Sequence, residues 1–527
     1  MIISSFIISC SDDFFNRYPS DKIQIETYLK NDVEVENVLL DNYYYLRSIS
    51  QNIIYINDIG TDIAYDRKTN NSTDHINLNE SNITETFGIS SAIWDSCYCM
   101  INRCNYVLNS LDNVVNENNK KQFEGEAKFF RAYSNFQLVR LFGDIPIVTS
   151  VIDDYTKLYG YQRIPIAEVY EEIIADLESA INDLPFNYSE SSKIGRATKV
   201  AALTMLSEVY MTNKEFDKAK TYLKQIIDFS NANPTILGIE SNIEDVFNST
   251  LANGKEIIFA AQFNNGSSII SNYLMSACIP NIISPSGQNT YTYQDGSKCT
   301  IKTSEGTSIM LMTYDLFNKY DQINDKRFNK LVYNGIYDAE YTSVSPFKYM
   351  TSSNATYLPV TLKYYDHQNN YKGLTKYSSA NDNIIYRYAD VILMYAECLN
   401  ETGQLNDAIE NVNIIRRRAG LSDATSTTKD DNSLIIENER LLELCFEVHR
   451  WFDLLRTNRL TQVMVEHYKW VEPGLNSVIQ SHMNGNDKVS SQAHWKWENT
   501  SYKILFPIPY SQMKLMSNFG WMQNDGY

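Results

Sequence analysis

The chain is poor in the features that mark most catalytic and membrane-spanning proteins. Its 527 residues contain no GxxxxGK[ST] phosphate loop, no GxGxxG fingerprint, no HExxH zinc motif and no GxSxG nucleophile turn. No later segment reaches the eighteen consecutive apolar residues of a bilayer-spanning helix. Basic charge is scarce: 46 Lys and Arg face 64 Asp and Glu, for a formal charge of −18, and no extended basic patch occurs. Nucleic acid is therefore not an expected partner. The six histidines, at 75, 367, 449, 467, 482 and 494, show no ligand spacing. Eight cysteines become seven once Cys10 is set aside, an odd number for a disulfide framework. Cys97, Cys99 and Cys104 form C-x-C-x4-C inside an apparently helical stretch with no nearby histidine, so buried thiols are expected there rather than a metal site. No metal and no cofactor is expected.

The most informative run is ENERLLELCFEVHRWFDLLR, Glu437–Arg456. Leu441, Leu444, Val448, Phe452 and Leu455 recur at three- and four-residue spacing, which predicts one helix with an apolar face. Glu439, Glu443 and Glu447 stack one turn apart on another face, where like charges repel. They call for cations, and Arg416, Arg417 and Arg418 end the preceding helical stretch. The bland reading is an ion network joining two helices. The sharp one is a carboxylate pair for glycoside hydrolysis, which needs roughly 5–9 Å between carboxyls across an open cleft. Carboxylates fenced by arginines have lowered pKa values and make poor general acids.

Helical periodicity covers Ala92–Leu111 and Lys120–Phe142, with Gly143 as the stop. Two later stretches, Ala201–Ile226 and Ile392–Ile415, carry small residues (Ser207, Ala219, Ala396, Ala408) where tetratricopeptide repeats pack paired helices. A third pair is split between Phe130–Phe142 and Ile166–Ile181. Asp12 to Ile54 reads as a short helical start, and 57–90 as loop. Between 260 and 380 the periodicity fades. That segment holds fourteen of the 38 tyrosines in 121 residues and no tryptophan, so aromatic recognition there would rest on tyrosine.

Several of these stretches carry a resemblance. ExxRxxELxFExxRWxDLxR at Glu437–Arg456, WxxxYxxINRCN at Trp94–Asn105, FRAxxxFxLVRLFGDIP at Phe130–Pro146, PSDxI at Pro19–Ile23 and the ending Leu505–Pro509 with Asn524–Tyr527 are similar to the SusD/RagB family of surface lipoproteins. The resemblance spans nearly the whole chain. It implies a mainly α fold, a tetratricopeptide-like helix-pair scaffold with a large loop-rich insertion carrying short β elements. It also implies a SusC-like TonB-dependent transporter as partner, with the helical scaffold facing it. Ile7-Ile8-Ser9-Cys10 has the pattern of a lipobox, so Cys10 is the expected lipidation site and residues 1–9 a partial signal peptide. No Lys or Arg precedes Cys10, which departs from an ordinary signal. Ser11-Asp12-Asp13 is similar to the surface-export signal of such lipoproteins.

The expected organisation is then a helical region over 10–259, an insertion over 260–380 and a C-terminal helical region over 381–527. The family's ligand face maps to 58–67 and roughly 291–357. In the first part Asp62, Tyr65, Asp66 and Arg67 stand together. In the second, Tyr291 and Tyr293 would share one face of a strand, with Tyr341 and Tyr349 next. Tyrosine offers a rigid face for a sugar ring, though any one of them could equally be packing. Trp495 and Trp497 are a second aromatic pair; Trp94, Trp451 and His449 read as packing. The expected function is capture of an oligosaccharide or polysaccharide at the cell surface, with lipid attachment to the outer membrane. Peptide capture is the alternative, and a glycan-cleaving enzyme is the third reading.

Overall fold

Asn31 starts the first long helix. Its side chain accepts the Glu34 N–H at 3.1 Å, which satisfies one of the donors left open at a helix start. Helix α1 then runs Asp32–Ile59 and α2 runs Gly88–Asn109. Helix α3, Glu117–Phe142, starts on Asn116, whose side chain accepts the Asn118 and Asn119 amides. It is buried on nearly every side from Phe129 onward, so it forms the centre of the helical core. Its two buried arginines are matched. Arg131 grips Asp176 at 2.8 and 2.7 Å, and Arg140 bonds Glu208 at 2.5 Å. Gly143 ends α3 at φ 74°, and a Cβ there would come within 2.8 Å of Leu505. The computed structural model describes residues 28–66, 73–79, 81–152, 154–264, 272–279, 289–292, 298–301, 307, 309–336, 357–365, 379–474 and 504–527.

Helix α4, Ile166–Asp183, packs on α3, which completes the split pair expected from the sequence. Two hairpins follow: α5 with α6 (Lys199–Thr212, Phe216–Ala232) and α7 with α8 (Tyr388–Glu401, Leu405–Arg418). Ser207, Ala219, Ala396 and Ala408 are fully buried at the contacts, where small side chains let helices approach. Helix α7 packs on α6 although most of the sequence between the two hairpins is insertion. Helix α9, Lys429–Leu444, closes this stack against α7 and α8. The protein is thus mainly helical with a tetratricopeptide-like scaffold.

Eight short strands are found among the described residues: β1 Ala64–Tyr65, β2 Ile257–Ala261, β3 Asn289–Thr292, β4 Lys298–Ile301, β5 Leu311–Met312, β6 Val332–Ile336, β7 Tyr357–Thr361 and β8 Asn383–Arg387. They pair antiparallel as β1–β5, β2–β8, β3–β4 and β6–β7. The β2–β8 pair brings Ala261 opposite Asn383, so the chain enters and leaves the insertion at one place.

Two sequence expectations need correction. The stretch 57–90 is not only loop: α1 continues to Ile59, β1 follows, and Thr73–Asn79 is a short helix. Nor is Glu437–Arg456 one helix. Helix α9 stops at Leu444, and a short helix α10, Arg450–Arg456, begins after a turn in which Phe446 and Val448 hold φ of 62° and 65°. The turn shifts the phase of the apolar face. Leu441, Leu444 and Phe452 are buried as expected, but Leu455 is only half-buried and Leu454 takes the core position.

Candidate ligand-binding site

The loop after α1 was the first part of the expected ligand face, and the structure shows what positions it. Gly60 lets the chain pass Trp451, whose ring would lie 3.3 Å from a Cβ there. The Thr61 hydroxyl donates to the Asn57 carbonyl at 2.6 Å. The Thr313 hydroxyl donates to the Asp62 carbonyl, also at 2.6 Å. Ala64 then pairs with Met312 and Tyr65 with Leu311. This strand pair joins the loop to the insertion, so the two regions expected to share a face do meet.

The individual residues are placed differently from one another. Asp62 is fully buried and accepts two hydrogen bonds from Arg450, both at 2.8 Å, with Lys319 Nζ at 3.3 Å. Burial alone would raise its pKa, but Arg450 and Lys319 outweigh burial and hold it below the ordinary carboxylate range. Asp66 is buried too, with Asn79 bonded to both its backbone groups and His75 Nδ1 at 3.4 Å from its carboxylate. Both aspartates, expected from the sequence among the ligand-binding candidates, are buried and brace the loop from inside. Sequence reasoning missed this because Arg450 lies 388 positions away. Tyr65 is half-buried. Tyr291 sits in β3 with its backbone opposite Cys299. Arg67, Tyr293, Tyr341, Tyr349, Trp495, Trp497 and Cys10 lie outside the described residues.

Beneath the insertion lies a buried ion network. Its cations are Arg327, Lys363, Arg387, Arg416 and Arg418, and its carboxylates are Glu256, Asp325, Glu439, Glu443 and Glu447. Five charges of each sign balance. Arg387 is wholly buried and uses all five N–H groups: on Glu447 at 2.6 and 3.0 Å, Glu256 at 2.7 Å, Glu443 at 2.6 Å and the Glu443 carbonyl at 2.8 Å. Glu443 would be raised by burial, yet Arg418, Arg387 and Arg327 hold it well below the usual range. Asp58, buried beside Lys363 and Glu447, is pushed well above that range by burial. The sequence pointed to arginines 416–418 as partners. Arg416 and Arg418 do take that role, whereas Arg417 is exposed and pairs with Glu410 and Asp423. The partners it missed, Arg327, Lys363 and Arg387, come from the insertion and its exit strand.

The same network explains the turn after α9. The Glu443, Cys445 and Phe446 carbonyls accept from Arg387 and Lys363, from Lys363, and from the Tyr364 hydroxyl respectively. Carbonyls engaged from outside favour a turn over another helical turn. An acid–base pair for hydrolysis needs a carboxylate free to exchange a proton, and Glu439, Glu443 and Glu447 are at most 1% exposed and each ion-paired. No cluster of three or more His, Cys, Asp or Glu that could hold a metal occurs among the described residues. Of the three clustered cysteines, Cys97 and Cys104 are buried and Cys99 is exposed. No helix among the described residues is long and apolar enough to cross a membrane.

Against known proteins, the profile of the SusD family matches residues 255–527, more than half of the chain. The chain belongs to the SusD family. A second profile, described as starch-binding associating with outer membrane, matches residues 16–211. Among curated SusD-family relatives, SusD-like protein P2 of Formosa agariphila is 26% identical over 479 residues, covering 85% of this chain and 88% of that one. The fold is that of a SusD homolog from Bacteroides thetaiotaomicron, with a TM-score of 0.76 at 20% identity over 95% of this chain and 98% of the other. It is also that of surface glycan-binding protein A from the same organism, solved in complex with laminarihexaose. There the TM-score is 0.69 at 20% identity, over 94% of this chain and 99% of the other.

Proposed function

We infer that this SusD-family protein is a non-catalytic, cell-surface binding protein. It captures an oligosaccharide or polysaccharide and delivers it to a SusC-like TonB-dependent transporter in the outer membrane. The observation that carries the reading is family membership joined to the second profile, whose description is of starch binding at the outer membrane. The relative solved with laminarihexaose supports a glycan as the ligand class. The ion pairing of Glu439, Glu443 and Glu447 supports capture without cleavage. The ligand contacts are Tyr65, Arg67, Tyr291 and Tyr293, with Tyr341 and Tyr349 as the next candidates. Sugar rings lay their C–H faces on tyrosine while polar neighbours bond the hydroxyls.

A glycan array with the purified protein tests this directly. Retention of at least one polysaccharide family is expected; retention of peptides with no glycan binding would replace glycan by peptide as the ligand. Replacing Tyr291 and Tyr293 together with Ala removes two stacking planes, each worth about 0.5–1.5 kcal/mol beyond its buried area. Affinity for the array's best glycan should fall about tenfold or more, with the melting temperature unchanged. Undiminished affinity would move the site elsewhere.

Cys10 anchors the protein through lipid. In the native host, Cys10→Ala should release it from the membrane fraction, because firm attachment needs more than one acyl chain and the variant has none. Unchanged surface labelling and fractionation would remove lipidation from the account.

A further inference from the structure

Helix α1 carries an arginine that the protein's own carboxylates leave unmatched. Among the described residues every other arginine has a carboxylate within 4.0 Å, apart from Arg163, whose nitrogens reach the Phe142, Asp144 and Met522 carbonyls and Asn524 Oδ1. Arg47 is half-buried and makes one long hydrogen bond, from Nη1 to the Gln262 carbonyl at 3.4 Å. Its Nε is buried without an acceptor, and its Nη2, also unbonded, stays open to solvent. Burial lowers its pKa, the direction expected of a cation that has lost water and gained no anion. One turn earlier on the same face Tyr44 is 49% exposed, and the Arg47 guanidinium lies 5.7 Å from its ring centre. Tyr45 packs edge-on against Tyr44, at 5.5 Å and 78°, which steadies the exposed ring.

The carboxylates nearby are engaged elsewhere. Asp41, on the same helix, is bonded to Arg103 at 2.7 Å, and Asp382 to the Phe263 amide at 2.8 Å. A half-buried guanidinium beside an exposed aromatic plane suits a ring that brings its own oxyanion. A neutral sugar would leave the charge unmatched, and a bare anion would leave the Tyr44 ring unused. We propose that Tyr44 and Arg47 form a subsite for an acidic sugar residue, its ring lying on Tyr44 and a carboxylate or sulfate oxygen accepting from Arg47 Nη2. The captured glycan is then one that carries acidic groups, an inference that rests on the capture reading above. Arg47 lies about 20 Å along α1 from Gly60, at about 1.5 Å per residue. A ligand that also reaches the 61–66 loop is therefore an oligosaccharide of several rings. The formal charge of −18 opposes an acidic ligand at long range, but physiological salt screens exposed charges beyond about 8 Å.

The test titrates the full chain with hexagalacturonate, which carries carboxylates, with a κ-carrageenan hexasaccharide, which carries sulfates, and with the neutral laminarihexaose and maltohexaose. At least one acidic probe should bind, more tightly at low salt, and the comparison of the two tells carboxylate from sulfate. Arg47→Met should weaken that binding about tenfold or more, the loss of one charge-assisted hydrogen bond. The melting temperature should not fall, since the arginine has no ion pair to lose and Met keeps its aliphatic stem. Tyr44→Ala should weaken binding about threefold and Tyr44→Phe hardly at all, because the ring face makes the contact. Failure of both acidic probes to bind, or binding unchanged in Arg47→Met, overturns the proposal. If the array retains only neutral polysaccharides, with affinity unchanged in Arg47→Met, the capture reading stands and this subsite falls. If it retains no glycan while a poly-glutamate peptide binds through Arg47, the glycan reading and the sugar subsite fall together, and the cation serves an acidic peptide.

Discussion

Arg387→Met should be the most destabilising conservative change in the chain. The arginine is fully buried, and its five hydrogen bonds hold Glu256, Glu443 and Glu447 together. Removing one partner of a buried ion pair costs about 3–5 kcal/mol, because the charge left behind cannot be hydrated. Here the variant leaves five buried carboxylates facing four cations. Against a total stability of about 5–15 kcal/mol, the expected result is a melting temperature lowered by many degrees or a protein recovered only in aggregates. Arg417→Ala is the control. It removes an arginine with two ion pairs of its own, to Glu410 and Asp423, but at 48% exposure. Exposed pairs are worth about 0–1 kcal/mol, so its melting curve should overlay that of the wild type. Equal melting for both variants would mean that the buried network contributes nothing to holding the insertion on the scaffold. Since Arg387 ends the strand that closes the insertion, limited proteolysis of the variant should cut first within 260–380.

Asp62→Asn should produce the second-largest loss, and a more local one. The substitution keeps the shape of the side chain but removes the charge that Arg450 and Lys319 share. The nearest carboxylate left to Arg450 would then be Glu437, 4.0 Å away. A cost of about 3 kcal/mol is expected, with early protease cleavage in the 61–66 loop and weakened glycan binding through loss of loop position. Wild-type loop protection in this variant would show that β1–β5 pairing alone holds the loop. The same charges set the acid limit of the fold. Asp62, Glu443, Glu447 and Asp453 all have folded pKa values below their unfolded ones. The native state therefore binds fewer protons than the unfolded chain, and the stability these groups contribute is complete above their unfolded pKa of about 4. It is lost as pH falls further, through the folded values. Asp58 acts with the opposite sign, since its raised pKa favours the fold at low pH. Among the described residues Asp32, Asp315, Asp321 and Asp423 are lowered as well, and Asp95, Asp183 and Asp382 are raised with Asp58; with eight lowered carboxyls against four raised, the melting temperature should drop below about pH 4. It should drop less steeply in Asp62→Asn, which has one such group fewer.

The helical scaffold was legible because helix pairing is written in local periodicity. The pair around Gly403 extends a few residues beyond its expected bounds at each end, and the helix stopped by Gly143 begins three residues earlier than expected and ends at Phe142 as expected. The acidic helix was half legible. Its three glutamates announced cations, and two of the three nearby arginines answered. The break at 445–449 was not legible, because nothing in FEVH looks like a helix stop. It arises from Lys363, Tyr364 and Arg387 taking carbonyls of the turn, and these residues are supplied by a different part of the chain. The ligand face was the least legible part. Two aspartates named among the ligand-binding candidates are interior braces, and their partners, Arg450, His75 and Asn79, have no sequence relation to them that a local pattern can reveal.

By itself, then, the sequence determined the mainly helical class, the paired-helix scaffold, the family, and the absence of any nucleotide or zinc motif. All of these follow from short-range spacing or from motifs read along one segment. Only the tertiary structure decided which charges are buried, where the last family helix breaks, how the insertion is clasped at its two ends, and that Asp62 and Asp66 point inward. Each of those depends on groups brought together from distant parts of the chain. Burial then turns their interactions from weak surface contacts into ones worth several kcal/mol, and no local pattern carries that information.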